Sequence, residues 1–301
     1  MLGWRLPISA VLIAALTIAF VYDHKAGAGA PLLLGLCLLL AVRGVWEMVA
    51  LLRTRSFHPN FLLTALLTCG VIGANWAPYS PFPVFRVSGL GLVTICYAFA
   101  VLALFLSSAV RFDQPGKSLE TLGAELLIVS YVGVLLSMTA QLRWVAGPDA
   151  GYLVLGSLII AVKCGDTGAY TLGRLFGKRK MVPRLSPGKT WMGALGALLG
   201  AGFGAWTWLQ WATPRFNAGW HPGDWYWAVL YGVVVGVAGL VGDLCESLIK
   251  RDVGQKDSAR LLPGFGGLLD LLDSVLYAGP VAYVLWKIMP LIHMGVDRVP
   301  E

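Results

Sequence analysis

The chain has 301 residues, 57% hydrophobic and only 13% charged, with a net charge of +7 and a mean hydropathy of +0.72. A soluble domain carries about 25% charged residues, so the composition excludes one and describes a polytopic membrane protein, all-α because a bilayer interior satisfies backbone groups within helices. Cys37, Cys69, Cys96, Cys164 and Cys245 lack metal-ligand spacing and fall in or beside apolar runs, which reads as small buried hydrophobes rather than a disulfide framework.

A span needs about 20 apolar residues. About nine stretches meet this: 6–22, 31–52, 60–77, 88–110, 119–140, 151–175, 190–212, 225–243 and 268–290. The first has a weakly basic start at Arg5 and lacks a clear small-x-small cleavage site, so it reads as a retained span rather than a signal peptide. Asp23-His24-Lys25, Arg53-Thr54-Arg55, the prolines 78, 81 and 83, and the segment Arg111 to Lys117 mark the first four breaks. No soluble domain, long linker or fixed-period repeat interrupts the series. Residues 1–150 form an N-terminal group of about five spans, and 151–301 a region with two polar loops.

Lys and Arg set the expected sides. With the N-terminus inside, fourteen fall on inner segments, five on outer segments and four within spans. This puts the loops 176–189 and 250–267 in the cytoplasm and the C-terminus outside. Arg43 and Glu47, four apart in the second span, read as an internal ion pair. Glu120 and Glu125 flank the start of the fifth span and read as facing the interface. Trp206, Trp208, Trp211, Trp220, Trp225 and Trp227 surround the outer loop 212–224 and read as an interfacial aromatic belt. The four histidines lie scattered near span ends and carry no assigned chemistry.

Two polar stretches interrupt the C-terminal half. The first holds Lys163 and Asp166, one turn apart, then Lys178-Arg179-Lys180, then Ser186-Pro187-Gly188-Lys189-Thr190. The last run looks like the end of a phosphate loop but lacks the upstream glycine and a preceding strand. A helix opening at Thr190 would still offer N–H groups to anions, and Lys189 adds charge. Lys178, Arg179 and Lys180 read first as a topology signal that also attracts anionic lipid.

The second stretch runs from Asp243 to Ser274. Asp243, Glu246, Ser247 and Lys250 share one helical face, and Asp270 and Asp273 share another. Asp243 is expected to end one helix and Asp270 to begin the next, with a glycine-punctuated loop between. Asp243 and Asp273 could instead be helix caps, an account that fits Asp270 less well because it sits just inside an apolar run. Carboxylates from two helices with Lys and Arg between them suit magnesium and a polyphosphate.

The run Ser247-x-x-Lys250-Arg251-x4-Lys256-Asp257, then Pro263-Gly264-x-Gly266-Gly267-x-x-Asp270-x-x-Asp273-Ser274, resembles the signature of the phosphatidate cytidylyltransferases, or CDP-diacylglycerol synthases. The Asp166-x-x-Ala169-Tyr170 and Ser186-Pro187-x-Lys189-Thr190 segments resemble the same family, so the likeness covers the C-terminal half. Two positions depart: Phe265 stands where the family usually has His, and Leu271 where it has Arg.

The resemblance implies transfer of a cytidylyl group from CTP to phosphatidate, giving CDP-diacylglycerol and pyrophosphate in phospholipid biosynthesis. It implies Mg2+ and leaves room for a second, monovalent cation. Asp243 and Asp270 are the expected metal ligands, with Asp273 and Asp257 as outer or second-ion ligands. Lys250, Arg251 and Lys256 would hold phosphates, and Ser186, Lys189 and Thr190 the triphosphate or lipid phosphate. Ser247, Gly266 and Gly267 would line the substrate site, and Asp166 would be a further ligand or the partner of Lys163. The expected setting is the inner (cytoplasmic) membrane, with the bilayer as partner, no nucleic acid, and a homodimer left open. Two alternatives remain: a CTP-dependent enzyme on another lipid, such as a polyprenol kinase or an ether-lipid cytidylyltransferase, and an ion-coupled transporter. A transporter would spread its charges towards the midplane on paired inverted halves, whereas here they gather on one side of the C-terminal half.

Overall fold

The computed structural model describes residues 2–55, 57–79, 89–147, 149–259 and 266–294, with the backbone alone for residues 2–10 and 12. Helices dominate: α1 (Leu2–Lys25), α2 (Pro31–Arg53), α3 (Phe61–Gly73), α4 (Gly89–Val110), α5 (Ser118–Ile128), α6 (Leu135–Gln141), α7 (Gly151–Phe176), α8 (Trp191–Phe216), α9 (Trp225–Asp252) and α10 (Leu269–Ile288). A 3-10 turn over Ala74–Tyr79 extends α3, and a π-helical turn over Val129–Val134 joins α5 to α6. The strands are short: β1 (Lys180–Val182) pairs with β2 (Ser186–Thr190), and β3 (His221–Pro222) with β4 (Ile292–His293), both antiparallel.

Among the described residues, eight helical segments are long and apolar enough to cross a bilayer. They coincide with the second to ninth expected spans. The first expected span lies on α1, so nine stands as an approximate count. Large side chains such as Leu66, Phe99, Leu106 and Val110 remain exposed on these helices, as a lipid-facing surface requires. The chain is a multi-pass membrane protein.

Three local expectations are corrected. Residues 176–189 are not merely a loop but hold the β1–β2 hairpin, in which Lys180 pairs with Thr190 and Val182 with Ser186. Asp243 does not end a helix: α9 continues to Asp252, held in part by the Glu246–Lys250 pair one turn apart. Glu125 does not face the interface. It is fully buried, where it meets Arg111 at 3.2 Å and accepts the Asn60 N–H at 2.9 Å.

The chain forms two compact units, residues 1–141 with 246–276, and residues 142–245 with 277–301. In the first, Asp23 is buried and accepts the N–H groups of Leu32 at 2.7 Å and Leu33 at 3.3 Å, satisfying donors that the start of α2 leaves open. Cys37, Ala41, Val45 and Met48 on α2 are buried, and Gly44 leaves room for the side chains of Val132 and Leu269. In the second unit, α7 and α8 approach through small residues. A Cβ at Gly168 would collide with the Gly196 backbone, and one at Gly200 with the Cys164 carbonyl. Such backbone proximity is how membrane helices gain packing without a hydrophobic driving force.

Candidate active site

In the second unit, the hairpin feeds directly into α8. Thr190 closes β2 and is the N-cap of α8: its backbone is extended and its hydroxyl accepts the Gly193 N–H at 3.0 Å. The expected helix opening is therefore present, but the Thr190 hydroxyl is committed to the cap, and the residue is buried. Lys189, one residue earlier, reaches α9, where its ammonium lies 2.9 Å from Asp243 Oδ2 and donates to the Leu240 carbonyl at 3.2 Å. The Lys189 side chain is 16% exposed and that of Asp243 44%. Ser186 opens β2, and Lys178, Arg179 and Lys180 are exposed beside it. Lys163 and Asp166 form the expected ion pair at 3.0 Å, on an exposed part of α7.

In the first unit, the end of α9 meets the start of α10. Glu246 and Lys250 are both buried, and the Lys250 ammonium lies 2.8 Å from Glu246 Oε2. The same ammonium donates to Asp270 Oδ1. Asp270 is the second residue of α10. Its other oxygen accepts the Ser258 N–H at 3.0 Å, the Ser258 hydroxyl at 2.9 Å and the Gly267 N–H at 2.7 Å. Asp270 is thus more than a cap: it ties the loop to its helix with one oxygen and takes a buried lysine with the other. Asp273, Ser247 and Ser274 are buried nearby on the same two helices.

The glycines of the motif serve the acids. Gly266 has φ +85°, and a Cβ there would strike the Asp270 carboxylate. A Cβ at Gly267 would strike the Ser258 hydroxyl and the Glu47 carboxylate. The remaining expected residues stand apart. Arg251 is exposed and donates to the Gln255 carbonyl at 3.2 Å, closing the end of α9. Lys256 and Asp257 are exposed, and among the described residues no hydrogen bond or ion pair joins them to the Asp270 cluster. Pro263, Gly264 and Phe265 lie outside the described residues, and Leu271 sits half-buried on α10.

Two side chains in this cluster had no assigned role in the sequence reading. Ser258 had no signal at all. Glu246 stood on the expected face, and its Oε1 is buried without a hydrogen-bond partner among the described residues. Hard carboxylate oxygens, one of them orphaned, suit magnesium in kind. Among the described residues, however, no three Asp, Glu, His or Cys side chains gather as metal ligands do. Here the Lys250 ammonium pairs with two of the carboxylates, those of Glu246 and Asp270.

The sequence model of the cytidylyltransferase family matches residues 4–289. The chain is 34% identical to a phosphatidate cytidylyltransferase of Mycobacterium bovis over 230 residues, covering 73% of this chain and 71% of that one. It is 30% identical to a phosphatidate cytidylyltransferase of Haemophilus influenzae over 248 residues, covering 80% of this chain and 85% of that one. The chain belongs to the cytidylyltransferase family.

Proposed function

We propose that this chain is an enzyme that transfers a cytidylyl group from CTP to phosphatidate. A phosphatidate oxygen attacks the α-phosphorus of CTP, the bond from that phosphorus to the bridging oxygen of the β-phosphate breaks, and pyrophosphate leaves. The observation that carries this reading is the family match across residues 4–289, together with a signature whose acids, glycines and Lys-Arg pair are intact. The transporter alternative is not favoured by it.

Positioning and charge neutralisation account for most catalysis of this kind. Lys250 and Lys189 are the proposed phosphate-binding cations, Lys250 oriented by two carboxylates, Glu246 and Asp270, and Lys189 by one, Asp243. Ser186 and the N-terminal turn of α8 add polar donors, while Thr190 supports them as the cap. Arg251 and Lys256 are exposed and suited to attracting CTP before it binds. A bound magnesium ion would supply positive charge against the departing pyrophosphate. The carboxylates of Asp270, Glu246 and Asp273 suit it by donor type, and the sequence motif alone proposes Asp243 as a further acid. The proposed setting is the inner membrane, with the loops at 176–189 and 250–267 cytoplasmic on the Lys and Arg count.

The test uses purified protein, magnesium, phosphatidate and CTP labelled at either the α- or the γ-phosphate. Label from the α-position should enter the lipid and label from the γ-position should not. A lipid labelled only from the γ-position would mean a kinase. Transfer of the α-label to a polyprenol or ether lipid but not to phosphatidate would move the enzyme to another acceptor. No transfer to any acceptor would remove the proposal.

A further inference from the structure

Glu47 sits in the C-terminal part of α2, far in sequence from the signature, and is fully buried. Its expected partner is present: Arg43 Nη2 lies 3.0 Å from Oε1. That ion pair uses only part of its capacity. Oε1 also accepts the Leu268 N–H at 2.9 Å, and Oε2 accepts the Leu269 N–H at 3.0 Å. These are donors at the very start of α10, where a helix leaves N–H groups without internal partners and favours negative charge. The Ser258 hydroxyl lies 3.0 Å from Glu47 Oε2 and 2.9 Å from Asp270 Oδ2, so its single proton serves one carboxylate at a time.

We infer that Glu47 is a positioning residue for Asp270, through the backbone of residues 267–269 and the hydroxyl of Ser258. Three features make this more than a cap. The Gly267 N–H, adjacent to the amides that Glu47 holds, itself donates to Asp270 at 2.7 Å. Ser258 touches both acids, so the loop before the glycines and the helix after them are locked to one carboxylate on α2. Gly267 has no room for a side chain, because the Glu47 and Ser258 oxygens fill that space. Among the described residues no hydrogen bond or ion pair joins Glu47 to Lys250. Glu47 sets the direction in which Asp270 presents its remaining oxygen to Lys250. This gives the N-terminal helices a part in the chemistry. The inference rests on the function proposed above.

The test compares wild type, Glu47→Gln, Ser258→Ala and the double variant. Gln turns an amide NH2 towards at least one of four donors, and Ala deletes the bridge. Amide hydrogen exchange at residues 267–269 reads the tie whatever the substrate is, and should accelerate about tenfold or more in Glu47→Gln. Turnover reads the consequence. Displacing a reacting group by about 1 Å can cost on the order of 100-fold, so kcat per folded molecule should fall about tenfold or more in each single variant. KM for CTP should stay within about threefold, and the double variant should be no worse than about twofold below the poorer single, because both cut one connection. Unchanged exchange would overturn the tie. Faster exchange with normal kcat would reduce Glu47 to a cap, and losses that multiply in the double variant would mean two separate effects. A wild type with no turnover would sink the function instead and leave exchange to decide the tie.

Discussion

Replacing Asp243 with Asn separates chemistry from folding more cleanly than any other change at this site. The side chain keeps its size and loses its charge. In the structure its carboxylate is 44% exposed and pairs with Lys189 at 2.9 Å. A pair this open to water contributes only about 0–1 kcal/mol, screened by salt. It lies inside α9 rather than at a helix end, so no cap is lost. Thermal unfolding followed by tryptophan fluorescence should therefore shift by a few degrees at most. Removing one preorganised donor to the transition state costs about 100- to 1,000-fold in kcat, or about 2.7–4 kcal/mol, and Asp243→Asn leaves Lys189 without the carboxylate that orients it. With saturating magnesium, CTP and phosphatidate, Asp243→Asn should thus lose at least about 100-fold in turnover while remaining folded. A folded variant within about threefold of wild type would remove Asp243 from the proposed machinery. Asp270→Asn is less clean. One oxygen there accepts three donors while the other faces Lys250, so an amide must turn its NH2 towards either the loop donors or the ammonium. Lost activity in that variant mixes folding with chemistry.

Lys250→Met should both inactivate and destabilise, because it leaves the buried Glu246 and the half-buried Asp270 without their cation, a change that costs up to about 3–5 kcal/mol for a buried pair; a melting point within a degree or two of wild type would contradict the ion network. Gly267→Ala should lower both stability and kcat, since its methyl group displaces Ser258 and Glu47, and normal turnover would show that the loop tolerates the shift. Wild-type protein should turn over with Phe265 and Leu271 as they stand, and Leu271→Arg should not improve it, because an unpaired Arg in an apolar helix costs up to about 2.5–3.5 kcal/mol; a gain in kcat would show that the missing arginine matters. In a background lacking native cysteines, single cysteines at the exposed positions Lys180 and Gln255 should resist an impermeant thiol reagent in intact cells and react in opened ones, and labelling of either in intact cells would overturn its cytoplasmic placement.

What could be read from the amino-acid order was whatever is local or repeated. Runs of apolar residues bounded by Arg, Lys, Pro and Gly located the spans, because a bilayer leaves helix as the one local solution for such a run. The pairs Arg43–Glu47 and Lys163–Asp166 were visible because residues three or four apart share a helix face, and the same spacing put Glu246 and Lys250 on one face. Thr190 was legible as a helix start from its side chain and the glycine before it. The end of α9 was misplaced for a related reason: the charges from Asp243 onward look like a membrane exit, whereas the helix continues by pairing them internally. Tertiary structure alone decided the rest. It buried Glu125 against Arg111, brought residues 246–276 into the unit of the first 141, and set Glu47 against amides more than 200 positions away. A carboxylate's burial and its distant donors leave no period or spacing in the chain. They follow from how the helices pack, which determines which polar groups must satisfy one another out of reach of water.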